Sequence, residues 1–345
     1  METIAQILSR ELEQPLEYVE NVIALIDEGN TIPFIARYRK ERHGSMDDTV
    51  LRTLADRLEY LRGLEKRREE VRAAIEAQGK LTEELSGALT AAATLAEVED
   101  LYRPYRPKRR TRATIARERG LEPLAALLFA QGRDCPDPMA EAAKYVEPDK
   151  GVNTAEEALQ GAGDIIAEDI SDDAGVRKAL RELLLRRGAL VSRAAGEEDT
   201  VYRLYCDFQQ PLSRLQDHQI LAIDRGEREG ALKVKVDCDR EEALVALRRR
   251  VVRPGSAAMD FIKAAAEDAY DRLLFPSLER EIRSLLTDRA AEGAIHNFAL
   301  NLRPLLMQPP VRGHVTMGLD PGYRMGCKVA VVDPTGKVLD TAVVY

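Results

Sequence analysis

Apolar residues recur every three or four positions through most of the chain, the spacing that gathers them on one face of an α-helix. Ile4, Ile7, Leu8 and Leu12 share such a face, and Leu16, Val19, Val22, Ile23 and Ile26 form a second one that stops at Gly29-Asn30. Pro33 suits the first turn of a third helix, because its missing N–H would be unpaired there anyway, and the pattern carries that helix from Phe34 to Lys40. From Asp47 to Gln78 no proline intervenes, and Leu51, Leu54, Leu58, Leu61, Val71 and Ile75 keep a seam of roughly heptad spacing. At ~1.5 Å per residue this predicts a helix of about 45–50 Å, an architectural strut. Thr94-Leu-Ala-Glu97 and Thr154-Ala-Glu-Glu157 match a helix-start motif in which hydroxyl and carboxylate each accept from a free N–H.

Further along, a helix is expected from Gly175 to Arg187, continuing towards Ala195, with Ala179, Leu180, Leu183 and Leu184 inward. Val201 to Phe208 reads as a strand or an irregular crossing, Ala222 to Gly230 as a turn, and the alternating Leu232-Lys-Val-Lys-Val-Asp237 as a strand. Helix formers return from Ala257 to Met307, with a break expected at Pro276 and a stop before Pro309-Pro310. Val315 to Gly322, Gly326 to Asp333 and Lys337 to Tyr345 then read as three strands joined by turns, the opening of an α/β domain. The fold class is therefore mainly α. Three segments are expected: a helical region over 1–195, a central helical region with a short β element over 196–312, and the strands over 313–345.

Composition agrees with this. Aromatics are 5% and Trp is absent, while helix-forming Ala, Leu, Glu and Arg dominate. With 51 Lys and Arg against 59 Asp and Glu the formal charge is −8, so the chain is no histone-like polycation. Cys135, Cys206, Cys238 and Cys327 form no C-x-x-C pair, and His43, His218, His296 and His314 sit at no ligand spacing. Neither a metal site nor a cofactor is indicated. No run reaches membrane-spanning length, and a cytoplasmic protein with reduced thiols is expected.

Against that acidic background, Arg103 to Arg119 carries eight basic residues and the single acid Glu118. Pro104 and Pro107 are expected to hold the segment extended, spreading Arg103, Arg106, Lys108, Arg109, Arg110 and Arg112 along a phosphate backbone, with Tyr102 and Tyr105 free to stack bases. The alternative is that these arginines pair with carboxylates of neighbouring helices and the tyrosines pack between them. A second candidate lies at Arg37, Arg39 and Lys40, on the second arm of a helix, turn, helix arrangement. Arg248-Arg-Arg-Val-Val-Arg253 points its charges in several directions and reads as solvated surface. Asp320, at the end of the first C-terminal strand, stands where a carboxylate can face a divalent cation.

Four stretches carry a resemblance: Thr31-Ile-Pro-Phe-Ile-Ala-Arg-Tyr-Arg-Lys-Glu41, Leu101 through Leu124, Arg225-Gly-Glu-Arg-Glu-Gly230, and Gly318-Leu-Asp-Pro-Gly-Tyr-Arg-Met-Gly-Cys-Lys-Val-Ala-Val-Val-Asp333. Together they resemble the signature stretches of the bacterial Tex proteins, transcription accessory factors; Met325 departs from the threonine expected there. The resemblance implies a helical N-terminal region with helix-turn-helix-like parts, a central helical scaffold, and then a YqgF or RNase H-like domain inside which this chain ends. Tandem helix-hairpin-helix motifs and a nucleic-acid-binding S1 domain would follow. Only Asp320 matches an RNase H-like acidic position, so a non-enzymatic role is expected. That role is weak, sequence-independent contact with RNA or DNA, in association with the transcription machinery. A metal-dependent nuclease or resolvase and a purely structural docking platform are the rival readings.

Overall fold

Helix starts are fixed by short polar side chains. Thr3, Asp47, Thr82, Thr94, Thr111, Asp137, Thr154, Asp173 and Asp239 each precede a helix and accept a hydrogen bond from a first-turn N–H that has no partner within the helix. Glu97 and Glu157 complete the motif expected at Thr94 and Thr154, but on the residue before the cap, accepting from the N–H of Ala93 at 2.7 Å and of Asn153 at 2.7 Å.

The computed structural model describes residues 2–107, 110–196, 201–309, 313–322 and 326–345. Its helices are α1 (Ile4–Glu11), α2 (Leu16–Asp27), α3 (Ile32–Tyr38), α4 (Asp48–Glu76), α5 (Glu83–Ala91), α6 (Leu95–Tyr102), α7 (Arg112–Glu118), α8 (Glu122–Ala130), α9 (Pro138–Ala142), α10 (Ala155–Asp172) and α11 (Ala174–Arg187). Strands β1 (Ala189–Ala194) and β2 (Asp207–Pro211), helix α12 (Asp217–Arg228), strand β3 (Leu232–Asp237) and helices α13 (Arg240–Val251), α14 (Met259–Asp268) and α15 (Phe275–Leu306) follow. The chain ends in strands β4 (Thr316–Asp320), β5 (Cys327–Val332) and β6 (Val338–Val344). The protein is mainly helical, with two small three-stranded sheets.

Two compact units are formed, one by residues 1–189 and 236–282 and the other by 190–235 and 283–345. In the first, α1 to α3 pack on the N-terminal half of α4, whose Leu51, Leu54, Leu58 and Leu61 join Leu8, Val19, Val22, Leu25 and Ile35 in one core. The seam continues through Leu64, Val71 and Ile75 into a second core with Leu89 and Val98 of α5 and α6. Helix α10 packs against α7, α8, α9 and α14, burying Ala158, Ala162, Ile165, Ile166 and Ile170. Its Gly161 permits a close approach, since a Cβ there would stand 2.4 Å from Leu121 Cδ1. In the second unit β4, β5 and β6 form an antiparallel sheet in that order, running from Thr316 opposite Val332 to Asp320 opposite Lys328. Met317, Leu319, Leu339 and Val343 are exposed on it.

Several local expectations need correction. Ala222 to Gly230 is mostly helix α12, and its Gly226 serves packing, because a Cβ there would meet Leu232 Cδ1 at 2.6 Å. The helix from Gly175 ends at Arg187, after which Leu190, Val191 and Ser192 are buried in β1. Pro276 does not break the chain's helical course. A π-helical turn over Ala269–Leu274 carries the helical course into α15, and Pro276, which has no N–H to donate, follows closely on that turn.

Candidate nucleic-acid interface

The basic residues predicted at Arg37, Arg39 and Lys40 gather around the C-terminal end of helix α3. Ile35 is fully buried, with Ile32 and Ala36 packed on the same core, which turns Arg37 and Tyr38 outward. Tyr38 is 62% exposed. Its ring lies 5.3 Å from that of Phe34, and the Arg39 guanidinium sits 5.0 Å over the Phe34 ring while Nη1 donates to the Tyr38 carbonyl at 3.0 Å. Arg37, Arg39 and Lys40 make no ion pair among the described residues. Arg42 donates to Asn21 Oδ1 at 3.4 Å. The loop that follows is held in place by Gly44, whose φ of +60° and contact with the Tyr18 ring exclude a side chain. The result is a cationic patch with an exposed aromatic ring at its centre.

The 103–119 segment is arranged differently. Arg103 to Tyr105 form a 3₁₀ turn, not an extended run, and Tyr102 and Tyr105 pack half-buried against the second core, where they are not free to stack bases. Arg103 pairs with Asp172 at 3.2 Å, and burial together with the neighbouring Arg177 pushes its pKa down. Arg106 pairs with Glu99, which also receives Arg67 at 2.6 Å, and both guanidiniums lie 5.7 Å from the Tyr102 ring centroid. Arg110 pairs with Glu118 at 2.8 Å, and Arg117 with Glu168 and Asp169 at 2.6 and 2.8 Å. Pairing with neighbouring carboxylates, the alternative weighed from the sequence, thus describes Arg103, Arg106 and Arg110. Arg112 is exposed and makes no ion pair among the described residues. Lys108 and Arg109 lie outside the described residues.

Sequence reasoning missed a buried network of charged side chains. Arg177 and Arg181 of α11 are 2% and 8% exposed and face Asp100 of α6, itself 4% exposed. Asp100 accepts from Arg177 Nε at 2.6 Å and Arg181 Nη2 at 2.5 Å, while Glu281 of α15 accepts from Arg177 Nη2 at 3.1 Å and from Arg181 Nε. The available signal was positional, since Arg177 and Arg181 are one turn apart and flank the inward Leu180 and Leu184. In the 248–253 cluster, Arg248 pairs with Glu267 at 2.5 Å and Arg253 donates to the Ala130 carbonyl at 2.8 Å.

Asp320 stands at the end of β4, as expected, opposite Lys328 in the sheet register. Among the described residues no group of three or more His, Cys, Asp or Glu side chains is placed to hold a metal ion. Among the same residues no helix is long and apolar enough to cross a membrane.

Three family models match in chain order: a Tex-like protein N-terminal domain over residues 2–76, a Tex central region-like model over 134–298 and a Tex protein YqgF-like domain over 314–345. The chain is 43% identical over 363 residues to "Protein tex" of Bordetella pertussis, covering 99% of this chain and 45% of that protein. It is 39% identical over 355 residues to "Transcriptional accessory protein Tex" of Neisseria gonorrhoeae, covering 99% and 46%. It is also 34% identical over 360 residues to the human "S1 RNA-binding domain-containing protein 1", covering 99% and 36%. It spans a little under half the length of these bacterial relatives. With the three models running through it in order, the chain belongs to the Tex-like protein family.

Proposed function

We propose that this chain is a non-enzymatic scaffold of a transcription accessory factor that touches RNA or DNA through phosphate contacts at the α3 patch. The observation that carries this is that Arg37, Arg39 and Lys40, beside the exposed Tyr38, make no ion pair among the described residues, whereas Arg103, Arg106 and Arg110 each have a carboxylate partner. Unpaired cations gain most from releasing the counterions condensed on a phosphate backbone, and an aromatic face adds stacking that tolerates any base. The names of the relatives, a transcriptional accessory protein and an S1 RNA-binding domain-containing protein, support the same direction. A net charge of −8 opposes long-range attraction of a polyanion, so contact is weak and falls steeply with salt. Contact with the transcription machinery belongs to the same proposal.

Binding of a labelled single strand across a salt series tests it. The charge reversal Arg37→Glu with Lys40→Glu is expected to lower affinity and flatten the salt dependence, and an unchanged slope contradicts the assignment. Incubation with Mg²⁺ or Mn²⁺ is expected to leave the strand intact. Metal-dependent cleavage that Asp320→Ala abolishes would replace this reading with a nuclease.

A further inference from the structure

Helix α7 separates two kinds of electrostatic environment. On one side Arg117 is neutralised by Glu168 and Asp169. On the other, Arg112 and Arg119 open onto a groove of about 460 Å³ between α7 and α10, whose further polar lining comes from Asn153, Glu157, Gln160 and Asp164. Both arginines are exposed, and neither makes an ion pair among the described residues.

Of the two carboxylates of the groove, Asp164 has a charged partner and Glu157 accepts from uncharged amides. Glu157 accepts from the Asn153 N–H at 2.7 Å and from its side-chain amide at 3.2 Å, and Asp164 pairs with Arg272 at 3.1 Å. Arg112 therefore acts on Asp164 only through space, beyond ion-pair distance. Arg119 has a defined seat. It lies against the left-handed turn at Gly151, where a Cβ would come within 3.8 Å of its Nε and Nη2.

Spacing selects the ligand. Arg112 and Arg119 are seven residues apart, two turns of one helix face, or about 10 Å at ~1.5 Å per residue. Two guanidiniums held that far apart on one face can each take a separate phosphate of the same strand. A groove with cations along one wall is the form in which single-strand binders track a backbone. The exposed Gln160 adds an uncharged donor and acceptor between the two cations.

We propose that the α7–α10 groove holds the sugar-phosphate backbone of a single nucleic-acid strand, with Arg112 and Arg119 as its two phosphate ligands. This rests on the nucleic-acid reading above and extends it from a surface patch to a second, concave contact. Arg119 gains a role that its position beyond the prolines of the basic segment did not suggest.

The test uses this chain and a fluorescent single strand carrying 4-thiouridine. Arg112→Gln and Arg119→Gln are each expected to lower the slope of log affinity against log salt by about 0.7, and the double variant by about 1.4. Photocrosslinks are expected on residues 112–119 and 151–161. Both side chains are exposed, so the variants should melt at the wild-type temperature, which separates lost contact from lost fold. If the double variant keeps the wild-type slope while Arg37→Gln with Lys40→Gln lowers it, the groove assignment fails and the α3 reading stands. If the wild-type chain binds no strand at any salt concentration, both fail.

Discussion

Asp100→Ala isolates the buried charge network, because this one carboxylate faces two guanidiniums that are almost fully enclosed. Asp100, Arg177 and Arg181 are 4%, 2% and 8% exposed, so water screens the charges little. Truncating Asp100 removes the contacts at 2.6 and 2.5 Å and leaves two positive charges sharing Glu281. Arg177 Nη1 already lacks a hydrogen-bond partner among the described residues, and the Ser277 hydroxyl, at 3.4 Å from Nη2, is a weak and uncharged substitute for the carboxylate. Removing one partner of a buried pair costs about 3–5 kcal/mol, chiefly through the charge left behind. In a unit of this size, where 1 kcal/mol moves the midpoint by roughly 2–4 °C, the melting temperature should fall by about 6–20 °C. Equilibrium urea unfolding and thermal melts both measure it. The companion variant Asp100→Leu with Arg181→Met replaces the pair by apolar groups and should recover much of the loss, with a coupling of about 1–3 kcal/mol in the cycle. A cost below about 1 kcal/mol for Asp100→Ala, the value of a surface pair, would refute the argument that the network is desolvated.

Gly44→Ala should destabilise the α1–α4 region by about 1–3 kcal/mol, since it combines a left-handed backbone with a Cβ 2.4 Å from the Tyr18 ring, a contact the core-packed tyrosine cannot easily relieve. Gly29→Ala, with φ of +84° but nothing within 4 Å, should cost less, about 1 kcal/mol, and amide exchange in α2 reads the difference. For pH, hydrogen bonds from Arg240 to Asp271 and from Lys178 to Glu97 hold both carboxylates below their ordinary values of 3.8 and 4.5. Their contribution to stability is full above those values and is lost as the pH falls through the lowered folded ones. Unfolding free energies measured from pH 7 to pH 3 should therefore drop on the acid side, and Asp271→Asn should flatten that drop while leaving the curve above pH 5 parallel to wild type.

The helices were readable where burial follows a period. The seam from Leu51 to Ile75 is the buried face of α4, and its residues could be named because each sits on the stripe that must leave water. The strands β4 to β6 were readable from alternation and turn residues. What failed to show was decided at long range. Gly226 and Gly230 with their charged neighbours imitate a turn, yet Gly226 is there so that Leu232 can approach α12. β1 forms because Ser192 and its apolar neighbours find partners such as the Tyr205 carbonyl, a pairing that helix propensity near Arg187 conceals. Arg177 and Arg181 read as surface charges because their neutralising groups lie far off in the chain, Asp100 at 77 and 81 residues and Glu281 at 104 and 100. For the candidate interface, the sequence located the basic residues but not which ones carry a carboxylate partner. Arg103 and Arg37 look alike in one dimension. Only the fold shows that Arg103 has a carboxylate partner while Arg37 makes no ion pair among the described residues.

Lysine footprinting addresses the α3 patch at a single atom. The chain is acylated briefly with and without a saturating single strand at low salt, and modification is quantified by mass spectrometry at Lys40 and at Lys66, an exposed lysine on α4. The strand is expected to protect Lys40 several-fold, and added salt to abolish the protection, with Lys66 unaffected. Equal modification of Lys40 with and without the strand, under conditions where the strand is bound, would contradict the α3 assignment.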